Sequence, residues 1–338
     1  MRQVDSRRGF TIVEILCVIG VIAVLLGILL VGLQSASRMT NNVRSMNRLK
    51  QLHLGWTTYS NAYNDRLLPG YLSTGVQDRW RVRYQDPDGD RLNAADCTTY
   101  PWRLLPYLDF ELDPMYGYRN DLDSIQNSYG NENDPNHAAT VQLMSQVPAF
   151  GYNAYYVGGW WDMANNSPHL LYGRTPVEIQ MGSDIRTVKG RLVALSQGDI
   201  RQPEKLIAFT ASTFRTPGAY VRQEDNPDGA AWVVPQRLCE QPIWRPFQGD
   251  SQMGIAASIA PAQASGEGIE VLQAQAVPLR RHGITIPIVH CDGSTMQAGF
   301  DELLKMDRWT SAAIDAPGQT ALFQHPCDDA LDGGSIGN

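Results

Sequence analysis

A long apolar run near the N-terminus is the strongest pattern in the chain. No residue from position 15 to position 33 is charged or strongly polar. At ~1.5 Å per residue, a helix over residues 10–33 would reach roughly 36 Å, which is enough to cross a hydrocarbon core of ~30 Å. The pattern therefore predicts a membrane-spanning helix over residues 10–33.

One carboxylate, Glu14, lies inside this predicted span. Inserting a carboxylate into the membrane within a spanning helix costs on the order of 2.5–3.5 kcal/mol even on lenient insertion scales. Glu14 is therefore a functional candidate, and a cationic partner is expected for it. If the chain were cut after Gly9, the new α-amine of Phe10 would be a cation. In a stack of staggered helices, that amine would lie at the depth of Glu14 in a neighbouring chain.

Apolar positions continue beyond the span at helical spacing. They recur at steps of three and four, and they are Leu33, Ala36, Met39, Val43, Met46, Leu49, Leu52, Trp56, Tyr59 and Tyr63. Polar residues lie between them, and Pro69-Gly70 follows the last one. The pattern predicts one helix from Phe10 to about Asn61, whose amphipathic half, residues 34–63, lies on a globular domain.

From residue 187 the pattern changes to a period of two, which predicts strands. The predicted strands include Val188 and residues 191–195, 206–209, 220–221 and 232–234, with a turn at residues 202–204. The clearest signal is a pair of apolar runs, residues 284–291 and 294–298, on either side of Asp292-Gly293. This arrangement predicts a hairpin with a two-residue type I′ turn.

The segment between the helix and the strands, residues 64–186, is predicted to be irregular because Asp, Asn, Pro and Gly are frequent in it. Residues 102–108 predict a short helix. The aromatic stretch at residues 150–161 is interpreted as one face of a sheet, with Trp160 and Trp161 expected to be its most exposed rings. The alternative is that this Trp pair stacks on sugars or contacts a protein partner.

Three aspartates, Asp86, Asp88 and Asp90, alternate along a turn that contains Gly89. Alternating carboxylates can surround a calcium ion while the glycine permits a sharp bend. No glutamate follows at the spacing that an EF-hand requires. We therefore favour a solvated acidic turn, with a calcium site as the alternative.

Four of the five cysteines lie beyond the apolar run. They form an even set in a region expected to be exported, where two disulfides with three alternative connectivities are expected. These four are Cys97, Cys239, Cys291 and Cys327. Cys17 lies in the run and is expected to act as a small apolar residue.

The distribution of charged residues bears on nucleic-acid binding and on the orientation of the predicted membrane helix. The net charge of -7 argues against a nucleic-acid surface. Arg2, Arg7 and Arg8 outnumber Asp5 before the apolar run, which places the N-terminus in the cytoplasm by the positive-inside rule. No Walker A, H-E-x-x-H or G-x-G-x-x-G motif is present, so neither an enzyme nor a cofactor is expected.

Residues 9–14 read GFTIVE, which resembles the processing motif of type IV prepilins and type II secretion pseudopilins. The resemblance implies that a prepilin peptidase cuts after Gly9 and methylates Phe10, and that Glu14 aids assembly. Ile12 stands where leucine is commonest in that family. A secretory signal peptide has a shorter apolar core, of about 7–15 residues, and a cleavage site of small residues. A plain signal anchor would explain the length of the run but not these motif residues.

A second resemblance lies near the C-terminus. His282, then nine residues, then Asp292-Gly293 is similar to the C-terminal motif of a large bacterial prepilin-like family. Ser294 and Thr295 depart from the usual continuation, whereas residues 308–310 fit the usual ending. An acid–base pair of His282 and Asp292 is not favoured, because turn chemistry already explains Asp-Gly.

These observations predict an α+β, pilin-like fold, in which a long N-terminal helix packs on an antiparallel β-sheet ectodomain with large irregular insertions. The expected segments are a leader (1–9), the transmembrane half of the helix (10–33), its amphipathic half (34–63), an irregular aromatic and Asp-rich region (64–186), a β-sheet region (187–326) and a loose tail (327–338).

The leading hypothesis is a structural subunit that assembles through its helix into a pilus or pseudopilus. Its expected partners are a prepilin peptidase, like or related pilin subunits and the inner membrane, which it crosses once with the ectodomain in the periplasm or on a surface filament. The alternative is a non-polymerising or tip-located binding module for a glycan or a protein partner. A third hypothesis is an anchored hydrolase.

Overall fold

The computed structural model divides the chain into two compact units, residues 1–44 and 45–338. It describes residues 12–86, 89, 91–117, 125, 127, 135, 137–170, 177–181, 184–188, 193–214, 229–233, 244–246, 255–257, 275–276, 285–303 and 305–311.

The first helix, α1, covers Ile12–Ala62 and is 51 residues long. The prediction of one helix ending near Asn61 is therefore confirmed from Ile12 onward. The helix stops where Asn64 and Asp65 adopt positive φ angles of 55° and 63°. The Asp65 amide donates a hydrogen bond of 2.9 Å to the Ser60 carbonyl, so the end of the helix is closed by a left-handed turn.

The part of α1 that belongs to the second unit buries one face. Its buried residues recur at three- and four-residue steps and include Ser45, Leu49, Leu52, Trp56 and Tyr59. This spacing keeps them on one side of a helix with 3.6 residues per turn.

Burial of α1 does not extend over the whole predicted amphipathic half. Leu33, Met39 and Val43 are 64%, 72% and 50% exposed. The predicted apolar positions advance by three more often than by four, so they drift around a helix of 3.6 residues per turn instead of keeping to one face.

The other helices of the second unit are short. The α-helices are α2 (Thr74–Trp80), α3 (Pro101–Leu104), α4 (Asp113–Tyr116), α5 (His137–Gln146) and α6 (Phe300–Leu303). Single turns of 3₁₀-helix cover Ala94–Cys97, Leu105–Leu108, Gln197–Asp199 and Met306–Arg308. The predicted short helix at residues 102–108 is thus formed by α3 and the 3₁₀ turn that follows it.

The described strands are mostly three to five residues long. They are β1 (Tyr71–Leu72), β2 (Phe150–Tyr152), β3 (Trp160–Ala164), β4 (Ser167–Leu170), β5 (Val177–Met181), β6 (Asp184–Val188), β7 (Ile207–Ala211), β8 (Thr213–Phe214), β9 (Trp244–Pro246), β10 (Ile255–Ala257), β11 (Gln275–Ala276), β12 (Thr285–His290) and β13 (Thr295–Gly299).

The main sheet has four antiparallel strands in the order β13-β12-β7-β2. Every residue of β7 and nearly every residue of β12 is buried. Trp56 of α1 packs against this core, where its Nε1 donates a 3.0 Å hydrogen bond to the Tyr152 hydroxyl of β2. The long helix, the main sheet and the surrounding short helices confirm the predicted α+β class.

A second sheet has the order β1-β3-β4, and β5 pairs with β6 in a separate hairpin. The region 64–186 therefore contains regular structure that the sequence interpretation missed, and its predicted boundary at residue 186 falls inside β6. The frequent prolines were taken as a sign of irregular structure. Pro101, Pro106 and Pro114 instead lie at the first or second position of their helices, where the missing amide removes no intrahelical hydrogen bond.

Some of the predicted strands are only isolated bridges. Ala194 pairs with Val157, and Trp232 pairs with Tyr152, each in parallel. The strand over residues 206–209 is confirmed by β7, and the turn before it is closed by a 3.0 Å hydrogen bond from the Lys205 amide to the Gln202 carbonyl. Residues 220–221 lie outside the described residues.

Candidate functional site

The N-terminal part of α1 is an exposed apolar helix. Residues Ile12–Leu29 have a mean hydropathy of 3.0, and none of them is buried. Among the residues that the structure describes, this is one helix long and apolar enough to cross a membrane by length and composition. Glu14 lies in its first turn and is exposed, while Gly9 and Phe10 lie outside the described residues.

The exposure of this helix indicates an external partner. Soluble monomers rarely expose a continuous apolar surface of this length, which is typical of a membrane or protein contact. Ile and Val are frequent along it, and β-branched residues are only moderate helix formers in water. Lipid or neighbouring helices would favour this helix. They would bury its side chains, and without water the backbone amides and carbonyls can bond only to each other.

The turn of the β12–β13 hairpin differs from the prediction. His290 and Ser294 are joined by a 2.9 Å bond from the His290 amide, so three residues, not two, connect the strands. Gly293 has a φ of +86° and its amide donates a 3.0 Å bond to the His290 carbonyl. A type I′ turn needs positive φ at both central residues, and Asp292 has none, so the connection is a type I turn followed by a glycine bulge.

This turn packs against α1 through His53. The His53 Nε2 atom lies 3.0 Å from the Cys291 carbonyl oxygen. A Cβ placed on Gly293 would come within 2.9 Å of two atoms of the His53 ring. Glycine is therefore needed here for two reasons, the left-handed backbone and the close approach of the helix.

Asp292 organises the turn through its side chain. Its Oδ1 accepts bonds of 2.8 Å from the Ser294 amide and 2.6 Å from the Ser294 hydroxyl. Burial raises the pKa of the Asp292 carboxyl, but the two Ser294 bonds and the charges of His290 and His53 outweigh that effect and lower the pKa. His282 of the proposed family motif lies outside the described residues.

The remainder of the C-terminal motif is structural. Trp309 is fully buried, and its Nε1 donates a 2.8 Å hydrogen bond to the Leu303 carbonyl. The side-chain amide of Asn153, through its Nδ2, donates hydrogen bonds to the carbonyls of Ile207 and Trp309 at 2.9 and 2.8 Å, which links this segment to β7.

The acidic turn is only partly described, since Asp88 and Asp90 lie outside the described residues. Asp86 is 4% exposed, so the expectation of a solvated turn is wrong for this residue. The Gly89 amide donates a 3.2 Å bond to the Asp86 carbonyl, and Gly89 has a φ of +93°. Within the described part of the chain, no group of three His, Cys, Asp or Glu side chains could hold a metal ion.

The predicted disulfides are not formed at Cys97 or Cys291, which are both free and buried. Burial, with a smaller effect of neighbouring Asp96, raises the pKa of the Cys97 thiol to about 12. Burial also raises the pKa of the Cys291 thiol. Each acts as a small apolar core residue in this structure. Cys239 and Cys327 lie outside the described residues.

The expectation that the Trp pair is exposed is wrong for Trp160, which is 2% exposed. β3 directs its ring into the core. There it stacks on the Tyr71 ring, with 4.3 Å between the ring centroids, and packs edge-to-face with the Trp232 ring, with 4.9 Å between the centroids. Trp161 points to the other face of the strand, as alternation requires. It is half-buried and packs edge-to-face with the Trp80 ring, with 5.1 Å between the ring centroids.

Trp161 lines a cavity of about 1210 Å³ that the sequence interpretation did not anticipate. Arg103 also lines it and is only 3% exposed. The signal for Arg103 was available in the sequence, because a single cation interrupts the apolar residues Trp102, Leu104 and Leu105. The C-terminal tail contains a further overlooked pattern, Gly-Gly-Ser-Ile-Gly at residues 333–337, which matches G-x-S-x-G but lies outside the described residues.

Comparison with known proteins gives one finding. Residues 5–30 match the family model of the prokaryotic N-terminal methylation motif. Neither the curated proteins nor the solved structures give a match. The matched segment contains Gly9, Phe10 and Glu14 and continues into the apolar helix. The motif and the apolar helix behind it support the assignment of this chain to the type IV prepilin-like family.

Proposed function

We propose that this protein is a pilin-like subunit that a prepilin peptidase cleaves between Gly9 and Phe10 and methylates on Phe10. The observation that carries the proposal is the match of residues 5–30 to the methylation motif, directly before an exposed apolar helix. After cleavage, Phe10 becomes the first residue and Glu14 the fifth, one helical turn away.

Cleavage creates the cation that assembly requires. Hydrolysis of the Gly9–Phe10 bond leaves the leader with a carboxylate and the mature chain with an α-amine. The amine is basic enough to be protonated, and N-methylation preserves its charge. In a bundle of staggered helices, the Phe10 amine of one subunit pairs with Glu14 of its neighbour. Each charge offsets the desolvation of the other in an environment of low dielectric constant.

The exposed apolar surface of α1 is the contact surface in this proposal. Before assembly it faces lipid, and in a pilus or pseudopilus it faces the helices of like or related subunits. The basic leader stays in the cytoplasm under the positive-inside rule. The ectodomain then lies in the periplasm or on a filament of the cell envelope. Of the six segments expected from the sequence, the leader and the transmembrane half of the helix are the ones that this proposal uses.

The processing step is tested by the mass of the mature N-terminus. Wild-type protein, expressed with a prepilin peptidase, is expected to lack residues 1–9 and to begin with methylated Phe10. Gly9→Val should keep the leader, because a branched side chain stands at the cleaved bond. Gly20→Ala is the matched control, since a Cβ there meets no atom within 4 Å. A wild-type protein that retains Met1 would refute the proposal.

A second candidate function is a binding module that is processed in the same way but does not polymerise or lies at a filament tip. The cavity beside Trp161 favours this candidate, since a structural subunit does not require a cavity of about 1210 Å³. Site-specific crosslinking along α1 in cells separates the two. Ladders of crosslinked subunits support polymerisation, and their absence in processed protein supports the binding module.

A further inference from the structure

The cavity lies within the second unit, between the end of α1, the loop after α2, and the 3₁₀ turn after α3. Its volume of about 1210 Å³ exceeds the ~300–1,000 Å³ of most small-molecule sites. Aromatic side chains from all of these segments form its walls. Six of them are Tyr59, Tyr63, Trp80, Tyr107, Phe110 and Trp161.

Arg103 places a buried positive charge in the wall of this cavity. Its Nη2 donates to the carbonyl oxygens of Thr98 and Gly70, at 2.9 and 3.3 Å. Its Nε and Nη1 atoms are buried and make no hydrogen bond of standard geometry to the residues that the structure describes, although the buried Tyr84 hydroxyl interacts with the guanidinium. A buried guanidinium without a paired anion is costly, and buried polar atoms without partners are rare in proteins.

Three further arginines, Arg66, Arg81 and Arg83, line the same cavity and are exposed. Arg83 forms an ion pair with Asp78, in which its Nη1 lies 3.4 Å from Oδ1. Two carboxylates also line it. They are Asp86 and Asp199. The Asp199 carboxylate already caps a 3₁₀ turn, where it accepts 3.0 Å bonds from the amides of Leu195 and Ser196 and from the Ser196 hydroxyl. Because Arg83 is already paired with Asp78, three guanidinium groups against two carboxylates leave the cavity a net positive charge, whose field the low-dielectric walls concentrate.

The backbone at the rim is held in an unusual conformation. Arg81 and Phe110 have φ angles of 57° and 58°. Positive φ is rare for bulky side chains. At Arg81 it closes the C-terminus of α2, of which Arg81 is the left-handed C-cap. Here the left-handed conformations direct one cation and one aromatic ring toward the same cavity.

The geometry points to a carboxylate-bearing oligosaccharide, such as a polymer of uronic acid, as the ligand of this cavity. The flat aromatic rings stack on sugar rings, and the Tyr hydroxyls provide partners for sugar hydroxyls. Guanidinium groups are the preferred partners of carboxylates. The volume favours several sugar units over one. An acidic peptide would satisfy the arginines equally well but makes less use of a wall of aromatic faces.

This inference concerns the ectodomain and does not depend on cleavage or polymerisation. The test uses the full-length chain in detergent micelles and measures binding by isothermal titration calorimetry. The probes are a linear trisaccharide of galacturonic acid, the neutral galactose trisaccharide of the same linkage, and triglutamate.

Wild-type protein is expected to bind the acidic trisaccharide at least tenfold more tightly than either other probe. Arg81→Gly should lower that affinity by about tenfold while keeping the fold, because Arg81 is exposed and glycine accepts its positive φ. Arg103→Gln should lower it further. Arg44→Gln, an exposed arginine on α1 outside the cavity, should leave the affinity unchanged.

Four results would overturn the inference. One is no binding of the acidic trisaccharide by folded wild-type protein. Another is equal binding of the neutral trisaccharide, which would remove the carboxylate from the recognition. The third is triglutamate binding as tightly as the uronic acid, which would assign the cavity to an acidic peptide. A folded Arg81→Gly protein that binds like wild type would also contradict it. Mass analysis of the N-terminus on the same samples reports processing separately.

Discussion

The Nε2 atom of His53, on the long helix, lies 3.0 Å from the carbonyl oxygen of Cys291, in the turn of the main hairpin. These residues are far apart in sequence, and their contact joins α1 to the edge of the sheet. The His53 ring also lies 5.5 Å from the Trp56 ring, so the contact continues into the core. The Asp292-Gly293 pair therefore has a structural role, in which it brings a tight turn against the helix.

Gly293→Ala is expected to destabilise the protein by about 1–3 kcal/mol, because alanine resists the φ of +86° and its Cβ would lie 2.9 Å from the His53 ring. Chemical denaturation followed by tryptophan fluorescence measures the change. In a double-mutant cycle with His53→Ala, the steric part of the loss should disappear while the backbone part remains. Gly299→Ala is the control, since no atom lies within 4 Å of a Cβ there.

Two buried tyrosines should respond in opposite ways to loss of the hydroxyl. Tyr152→Phe leaves the Trp56 Nε1 donor buried without its 3.0 Å partner, and a loss of about 1–3 kcal/mol in the free energy of unfolding is expected. Tyr156→Phe removes a hydroxyl that has no partner among the described residues, so stability should stay the same or rise. Equal destabilisation by both changes would contradict this assignment.

The thiols of Cys97 and Cys291 should resist alkylation in the folded protein. Burial is the main cause that raises both thiol pKa values, to about 12 for Cys97, so very little reactive thiolate exists at pH 8. Iodoacetamide labelling with peptide mass analysis should modify both residues only after denaturation, without a reductant. A disulfide-linked peptide that contains either cysteine would contradict the structure.

Asp292 should make stability depend on acid pH. Its pKa is lowered in the folded state, so its stabilising effect is present above the unfolded pKa of about 3.9 and is lost as the pH falls through the lower, folded value. Asp292→Asn should therefore be less stable than wild type at pH 7, and the two curves should converge toward pH 2. Ser294→Ala removes one of the two hydrogen bonds that Ser294 donates and should give an intermediate curve.

Glu14→Ala should prevent incorporation into a filament while membrane insertion and cleavage continue. The reason is loss of the partner for the Phe10 amine of the neighbouring subunit in the proposed assembly. Crosslinking and membrane fractionation measure the two properties separately. Cys17→Ala, which lies within the same helix, is the control and should assemble normally. Normal assembly of Glu14→Ala would refute the pairing role.

Patterns that depend on near neighbours in the chain were predictable. The apolar run, the length of α1, the hairpin at Asp292-Gly293 and the methylation motif all follow from short-range spacing or composition. The type of turn was not predictable. The same Asp-Gly pair fits two connections, and the pairing of His290 with Ser294 selects the longer one.

The second unit, residues 45–338, depends on contacts that local patterns do not predict. The apolar N-terminal helix, the motif before it and the α+β class could be predicted from the sequence, because they depend on hydrophobic periodicity and local chemistry. The burial of Trp160, the free thiols of Cys97 and Cys291, and the cavity that Arg103 lines with Trp161 could be seen only in the folded chain. Each of these results depends on segments that are distant in sequence and meet only when the core packs, which no local pattern of residues encodes.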